Sequence, residues 1–186
     1  EPYSSFTSYY DDPVVSFTLC ALILIGGIGF IVWSDIAQHK WHFRKYALQT
    51  KMVLTVSAVL VFGGALLFYI IEGNRLYADM DLTGKICSSF FSAVTPRTAG
   101  FNTTDTGALS EGGKLLSIIL MFIGGGSGST AGGVKMATIF VLLLHLRSTL
   151  QRTTGTNIYG RRIEDSTITK ASALLCTYLF CGIAAT

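Results

Sequence analysis

The chain has 186 residues, of which 50% are hydrophobic and only 13% charged, and its mean hydropathy is +0.52. A soluble domain carries about 25% charged residues, so this composition excludes an ordinary soluble globule and a disordered tail. Fourteen basic against eleven acidic residues leave a net charge of +3, too small and too scattered for a nucleic-acid footprint, and no nucleic-acid partner is expected.

Pro13 to Trp33 form the first apolar run, free of charge for about 20 residues, which at about 1.5 Å per residue crosses a hydrocarbon core of about 30 Å. Met52 to Ile71 form a second. A third runs from Leu115 to Leu146, interrupted by GGGSGSTAGG and Lys135. A fourth begins near Ile168 and is still apolar at Thr186. The chain opens on Glu1 and shows no signal peptide. The expectation is a piece of a longer membrane polypeptide.

Basic residues cluster on alternate sides of these runs. His39, Lys40, His42, Arg44, Lys45 and Lys51 lie between the first two. Arg147, Arg152, Arg161, Arg162 and Lys170 lie between the last two. The positive-inside rule places both groups in the cytoplasm, so the four spans alternate in direction through a multi-pass topology. Trp33 and Trp41 suit an interfacial aromatic belt.

The four cysteines form no CxxC pair and no Cys/His grouping, and three lie in strongly apolar stretches. They read as small buried hydrophobes, not as a disulfide or zinc framework. No nucleophile–base grouping and no paired intramembrane carboxylates point to an enzyme. The three histidines are too dispersed for a metal site, and Asp35 is placed to cap or pair at the inner end of the first span.

Leu82 to Pro96 reads LTGKICSSFFSAVTP, with an apolar part too short to span a membrane. Thr83 is a candidate helix cap. Pro96 marks a stop, and Thr95 before it is biased away from helix. The next stretch, residues 97–103, is small, polar and glycine-containing, and suits an extended return. The pattern alone leaves two readings open. One is an external loop with a surface helix. The other is a half-helix and return strand at membrane depth, which must be buried in protein or line a water-filled cavity. Unpaired carbonyls there suit a dehydrated monovalent cation, and the half-helix aims its partly negative end at the same place.

Gly124 to Gly133 holds six glycines in ten residues. Each costs a helix interior about 1 kcal/mol relative to alanine, and Ser127, Ser129 and Thr130 offer competing hydrogen bonds. A break in the third span is expected, the alternative being a small-residue packing face. The spacing Gly128 to Gly133 fits a phosphate loop, but Val134 stands where lysine is required. Lys135 is a charge within a membrane stretch and a functional candidate. Its other roles are snorkelling to the inner surface or tying to loop carbonyls.

SAVTPRTAGFNTTD (Ser92 to Asp105) resembles the filter segment of the Trk/Ktr/HKT superfamily of potassium transporters. MFIGGGSGSTAGGVK (Met121 to Lys135) resembles the interrupted helix after that family's third filter, and DDP (Asp11 to Pro13) with GGIGF (Gly26 to Phe30) is similar to the second helix of its preceding repeat. The resemblance covers nearly the whole chain. It implies an all-α polytopic membrane protein of M1–pore-helix–M2 repeats around a pseudo-fourfold pore. Residues 1–40 would end repeat two, 41–150 form all of repeat three, and 151–186 begin repeat four.

The resemblance further implies that Thr98, Ala99, Gly100 and Phe101 form one quarter of a selectivity filter, with Asn102 and Thr103 continuing outward. Potassium would be held by the backbone carbonyls of Thr98, Ala99 and Gly100. Gly124, Gly125, Gly126, Ser127, Gly128, Ser129, Thr130, Ala131, Gly132 and Gly133, with Lys135, would form a gating loop beneath it. Pro96 departs from the family, where threonine is expected. Potassium is cargo; no cofactor is implied, and Na+ or H+ are the candidate coupling ions. Implied partners are the remaining repeats, a second copy in a homodimer, the lipid bilayer and a cytosolic nucleotide-binding ring subunit, for which the basic segments 39–51 and 147–162 are candidate contacts. The rival function is an ion-coupled secondary transporter with a broken-helix substrate site, and a non-transporting membrane scaffold is a third.

Overall fold

The computed structural model describes residues 5–40, 42–97, 99–151, 157–158, 161–162 and 165–184. Its elements are α1 (Pro13–Ile28), α2 (Phe30–His39), α3 (Leu48–Glu72), α4 (Leu82–Val94), α5 (Glu111–Phe122), α6 (Met136–Leu150) and α7 (Asp165–Ala184). A two-residue antiparallel ladder, β1 (Asn157–Ile158) with β2 (Arg161–Arg162), joins α6 to α7. Thr98 and Trp41 lie outside the described residues, as does Arg152 of the second basic segment.

α3 is the spine of the molecule. Its buried residues Thr50, Val53, Ser57, Val61, Gly64, Phe68 and Glu72 recur at steps of three and four and make one helical stripe. Three layers stack along that stripe. At the outer end Ala65 and Phe68 meet Ala93 of α4 and Leu120 of α5. In the middle Val61 meets Cys20 of α1 and Phe91 and Val94 of α4. At the inner end Val53 meets Val32 of α2 and Met136 of α6. Met52 extends this layer to Val141 of α6 and Ile168 and Ala171 of α7. The remaining faces expose large apolar side chains such as Phe62, Leu66, Ile70, Ile118 and Leu146. Between helices in lipid, close packing and polar contacts rather than water exclusion hold such layers together.

α3 is continuous over 25 residues and apolar enough to cross a membrane. The first apolar run departs from the expected straight span. α1 and α2 meet at 94° across Gly29. Gly29 has φ of +95°, and a Cβ there would lie 2.7 Å from the Ser127 carbonyl oxygen, so only glycine fits. The bend frees carbonyls at the end of α1, and the Trp33 indole donates to the Ile25 carbonyl at 2.9 Å. Trp33 itself remains 38% exposed. Asp12 caps α1, accepting from the Val14 and Val15 amides, with Pro13 in the first turn. Asp35 accepts the Ala47 amide at 2.8 Å, capping α3 from outside, and its other oxygen pairs with His39 at 2.9 Å.

Candidate functional site

α4 is amphipathic and short, and it ends among α1, α3 and α5. It begins at Leu82 with Asp81 in the capping position, and no side chain caps it. Thr83, the expected cap, sits inside the first turn. The helical path continues through a 3-10 turn, Thr95–Arg97, so Pro96 does not end it at once. Thr95 is helical, with φ −60° and ψ −37°, against the usual bias of a residue before proline. Four hydrogen bonds hold it there. Its amide donates to the Phe91 carbonyl, and its carbonyl accepts the Ala99 amide at 3.1 Å and the Gly100 amide at 3.4 Å. Its hydroxyl donates to the Phe101 carbonyl.

The backbone then returns outward without regular structure. The Asn102 carbonyl accepts the Phe6 amide at 3.0 Å, and the Asn102 amide donates to the Ser5 hydroxyl at 3.0 Å. Among the described residues the carbonyls of Phe101 and Asn102 are therefore engaged, while those of Ala99 and Gly100 carry no hydrogen bond. Gly100 has φ of +71°. The return borders two cavities. Ala99 and Phe101 line a cavity of about 360 Å³ together with Ile23, Gly27 and Thr130. Gly100, Asn102 and Thr103 line one of about 490 Å³ against Phe91 and Ser117.

The glycine segment is a loop, as expected, between α5 and α6. Its neck is closed by the Gly124 amide on the Val134 carbonyl at 2.9 Å and the Val134 amide on the Phe122 carbonyl at 3.0 Å. Inside the loop, the Ser129 hydroxyl donates to the Gly126 carbonyl at 2.6 Å. The loop docks on the break in the first span. The Gly126 amide donates to the Gly27 carbonyl at 2.9 Å, and the Phe30 amide donates to the Gly128 carbonyl at 3.3 Å. A Cβ on Gly126 would lie 2.1 Å from the Ile28 carbonyl oxygen. Each interruption thus supplies the backbone partners the other has lost. Lys135 donates to the Ala131 carbonyl at 2.7 Å and so closes the loop's inner edge.

Two buried charges were not singled out from sequence. Arg97 is 5% exposed. Its Nη2 lies 3.5 Å from both the Ser57 hydroxyl and the Met136 sulfur, and its Nε and Nη1 have no partner among the described residues. An intramembrane arginine is itself a functional signal, available within the PRTAG stretch. Glu72, fully buried, accepts the Ser110 amide at 3.0 Å and the Ser110 hydroxyl at 2.5 Å. Ser110 caps α5 through the Gly113 amide. The buried Tyr77 hydroxyl shares a hydrogen bond with Ser92 at 2.9 Å, and burial pushes its phenol up from the usual range. These contacts fasten the Glu72 end of α3, the last turn of α4 and the start of α5 around the return segment.

Both the sequence and the fold are shared with known proteins. The model of the TrkH family, described as a cation transport protein, matches residues 2–185. The chain belongs to the TrkH family. Relatives within reach of this TrkH-family chain include the potassium/sodium uptake protein NtpJ of Enterococcus hirae, 40% identical over 166 residues, which cover 88% of the chain and 37% of that protein. The Ktr system potassium uptake protein B of Bacillus subtilis is 38% identical over 175 residues, 93% of the chain and 39% of that protein. The crystal structure of the potassium transporter TrkH from Vibrio parahaemolyticus superposes with a TM-score of 0.78 at 19% identity, over 97% of the chain and 40% of that structure. The chain spans about two fifths of the length of each of these three proteins. The TrkH-family fold seen here is that of a polytopic membrane transporter, and among the described residues its regular elements are helical apart from the short β1–β2 ladder.

Proposed function

We propose that this chain is the central part of the pore-forming subunit of a potassium uptake system. α3, α4 and the α5–α6 pair make one M1–pore-helix–M2 repeat. α1–α2 close the preceding repeat, and α7 opens the next. The single observation that carries this reading is the pair of free carbonyls on Ala99 and Gly100 at the end of α4. They stand where a half-helix aims its negative end, and a row of such oxygens replaces the hydration shell of a monovalent cation. Thr98 belongs to the same row by sequence, and Phe101, Asn102 and Thr103 shape its outer end. Thr130 and the Ala99–Phe101 face share one cavity, so the glycine loop stands beside the exit from the carbonyls and gates it. Lys135 holds that loop. Two relatives are named as uptake proteins for potassium, one of them also for sodium, and this supports potassium as cargo.

Completion of the pore requires the remaining repeats. A second copy and a cytosolic nucleotide-binding ring are the proposed assembly in the inner membrane, one relative being named as protein B of a Ktr system. The test is rubidium flux into liposomes containing the full-length parent protein, with and without excess sodium, beside its Gly100→Ser variant. Sodium-resistant flux that loses selectivity in the variant is expected. Robust flux indifferent to the substitution would move the pathway away from Gly100.

The coupled-carrier reading gains one observation, the second broken span at Gly29. A carrier of that type pairs its broken helices through an inverted repeat. Here the charge pattern runs both broken spans in the same direction, which favours the pore. Saturable uptake strictly coupled to Na+ or H+ would reverse the preference.

A further inference from the structure

We propose that the turn joining α2 to α3 binds the anionic headgroups of phospholipid in the cytoplasmic leaflet, through Lys40, Arg44 and Lys45 set around Phe43. This holds whether or not the pore reading does, since it requires only a membrane chain with its basic segments on the cytoplasmic side.

The turn carries unneutralised charge. Segment 39–51 holds Lys40, Arg44, Lys45 and Lys51 with two histidines and no acid. Asp35, just before it, is already committed. One of its oxygens accepts the Ala47 amide and the other pairs with His39. Among the described residues no acidic side chain pairs with Lys40, Arg44 or Lys45, and all three are exposed.

The same segment is folded rather than loose. Phe43–Lys45 form a 3-10 turn, and the Lys45 amide donates to the His42 carbonyl at 2.9 Å. The Tyr46 hydroxyl donates to the Lys40 carbonyl, and Lys51 donates to the Arg44 carbonyl at 2.9 Å. The Phe43 ring meets Tyr46 edge-on and has the Lys51 ammonium 5.9 Å from its centre. These ties gather the three exposed cations on one short turn, so little ordering remains to be done on binding. The arginine offers phosphate oxygens a planar fork, and the lysines add compact charge.

Position selects the partner. α3 enters the apolar layer at Leu48, directly after the turn. α2 is bent 94° away from α1 and is held against the first two turns of α3, by Val32 on Val53 and by Asp35 on Ala47. Its Phe30, Ile31 and Trp33 side chains are exposed. An exposed apolar helix that leads into exposed cations matches an element lying at the headgroup boundary of an anionic membrane. Phe43 stands 45% exposed among those cations. An aromatic ring there suits the acyl region beneath the phosphates, and a purely ionic contact with a soluble ring subunit has no use for it.

The experiment titrates the full-length parent protein in detergent with phosphatidylglycerol or with phosphatidylcholine and reads each bound lipid by native mass spectrometry. Phosphatidylglycerol is expected to bind more tightly than phosphatidylcholine. Replacing Lys40, Arg44 and Lys45 together by Gln is expected to weaken the tightest phosphatidylglycerol step about a hundredfold, about fivefold for each cation, with phosphatidylcholine unchanged. Unchanged phosphatidylglycerol binding in that variant overturns the proposal, and loss there of a ring subunit instead would give the turn to that partner. Full displacement of phosphatidylglycerol by inorganic phosphate overturns it too, and would assign the turn to a free anion. If the triple variant is not produced, Arg44→Gln and Lys45→Gln decide singly, and binding equal to the parent in both overturns the proposal.

Discussion

The Gly126 amide donates to the Gly27 carbonyl at 2.9 Å and joins the two interruptions of the membrane helices into one element. Neither break is free to relax without the other. A movement of the glycine loop therefore pulls on the bend between α1 and α2.

Gly29→Ala tests this linkage. The position combines φ of +95° with a backbone oxygen 2.7 Å from any Cβ. With ψ of +150° the residue sits in a region open essentially to glycine alone, where another residue costs about 1–3 kcal/mol, and the close contact adds to it. The variant is expected to lose several degrees of thermal stability in detergent and to alter the ratio of stimulated to basal flux. Selectivity is expected to stay intact. A stable variant with wild-type stimulation would show that loop and bend move independently.

Gly100→Ser separates backbone from crowding. Nothing lies within 4 Å of a Cβ built on Gly100, whereas φ is +71°. The substitution acts through the conformation that orients the Ala99 and Gly100 carbonyls, at about 1–2 kcal/mol. Rubidium-over-sodium selectivity is expected to drop about tenfold with normal protein yield. Full selectivity in the variant would remove these carbonyls from the pathway.

Glu72→Ala is expected to destabilise the outer end. Ser110 would lose the acceptor of its amide and its hydroxyl together, and each buried donor left unpaired costs about 1–3 kcal/mol. Glu72→Gln keeps an acceptor and is expected to retain most stability. Thermal melts of both variants, read beside ion selectivity, check this. Equal stability of Glu72→Ala and the parent would count against the clamp.

Lys135→Ala removes the tie from Nζ to the Ala131 carbonyl, 2.7 Å long. Basal flux is expected to change about two- to fivefold as the loop loses one charge-assisted hydrogen bond. Lys135→Arg is expected to stay near the parent. Unchanged flux and unchanged gating in Lys135→Ala would reduce the lysine to a surface anchor.

Much of this was legible in the chain. α3 announced itself by length and apolarity, α4 by being too short to span, and the α5–α6 break by its glycines. The bend at Gly29 was not read, because hydropathy averages over a window and does not register a single positive φ. GGIGF carried the signal, yet its meaning depends on a loop roughly a hundred residues away. Arg97 and Glu72 escaped for the same reason. Their partners Ser57 and Ser110 lie 40 and 38 positions off. A charge at the edge of an apolar run looks like a helix end until the opposite wall is in place. The Thr95 geometry was misjudged because a local steric preference was outweighed by three hydrogen bonds that only the folded return supplies.

The Gly27–Gly126 contact has a consequence for how the protein is made. A ribosome adding about 5–20 residues per second needs roughly 5–20 s to travel from one glycine to the other. Throughout that interval the Gly27 carbonyl has no loop to meet, and an unpaired carbonyl in hydrocarbon costs several kcal/mol. The nascent first helix is therefore better off straight, closing its own backbone bonds through Gly29. The bend is expected to form late, when the loop reaches a helix already inserted. Cysteine labelling at Phe30 in nascent chains arrested before and after residue 126 would register the change. The glycine loop, on this account, reshapes a neighbour that entered the bilayer without it.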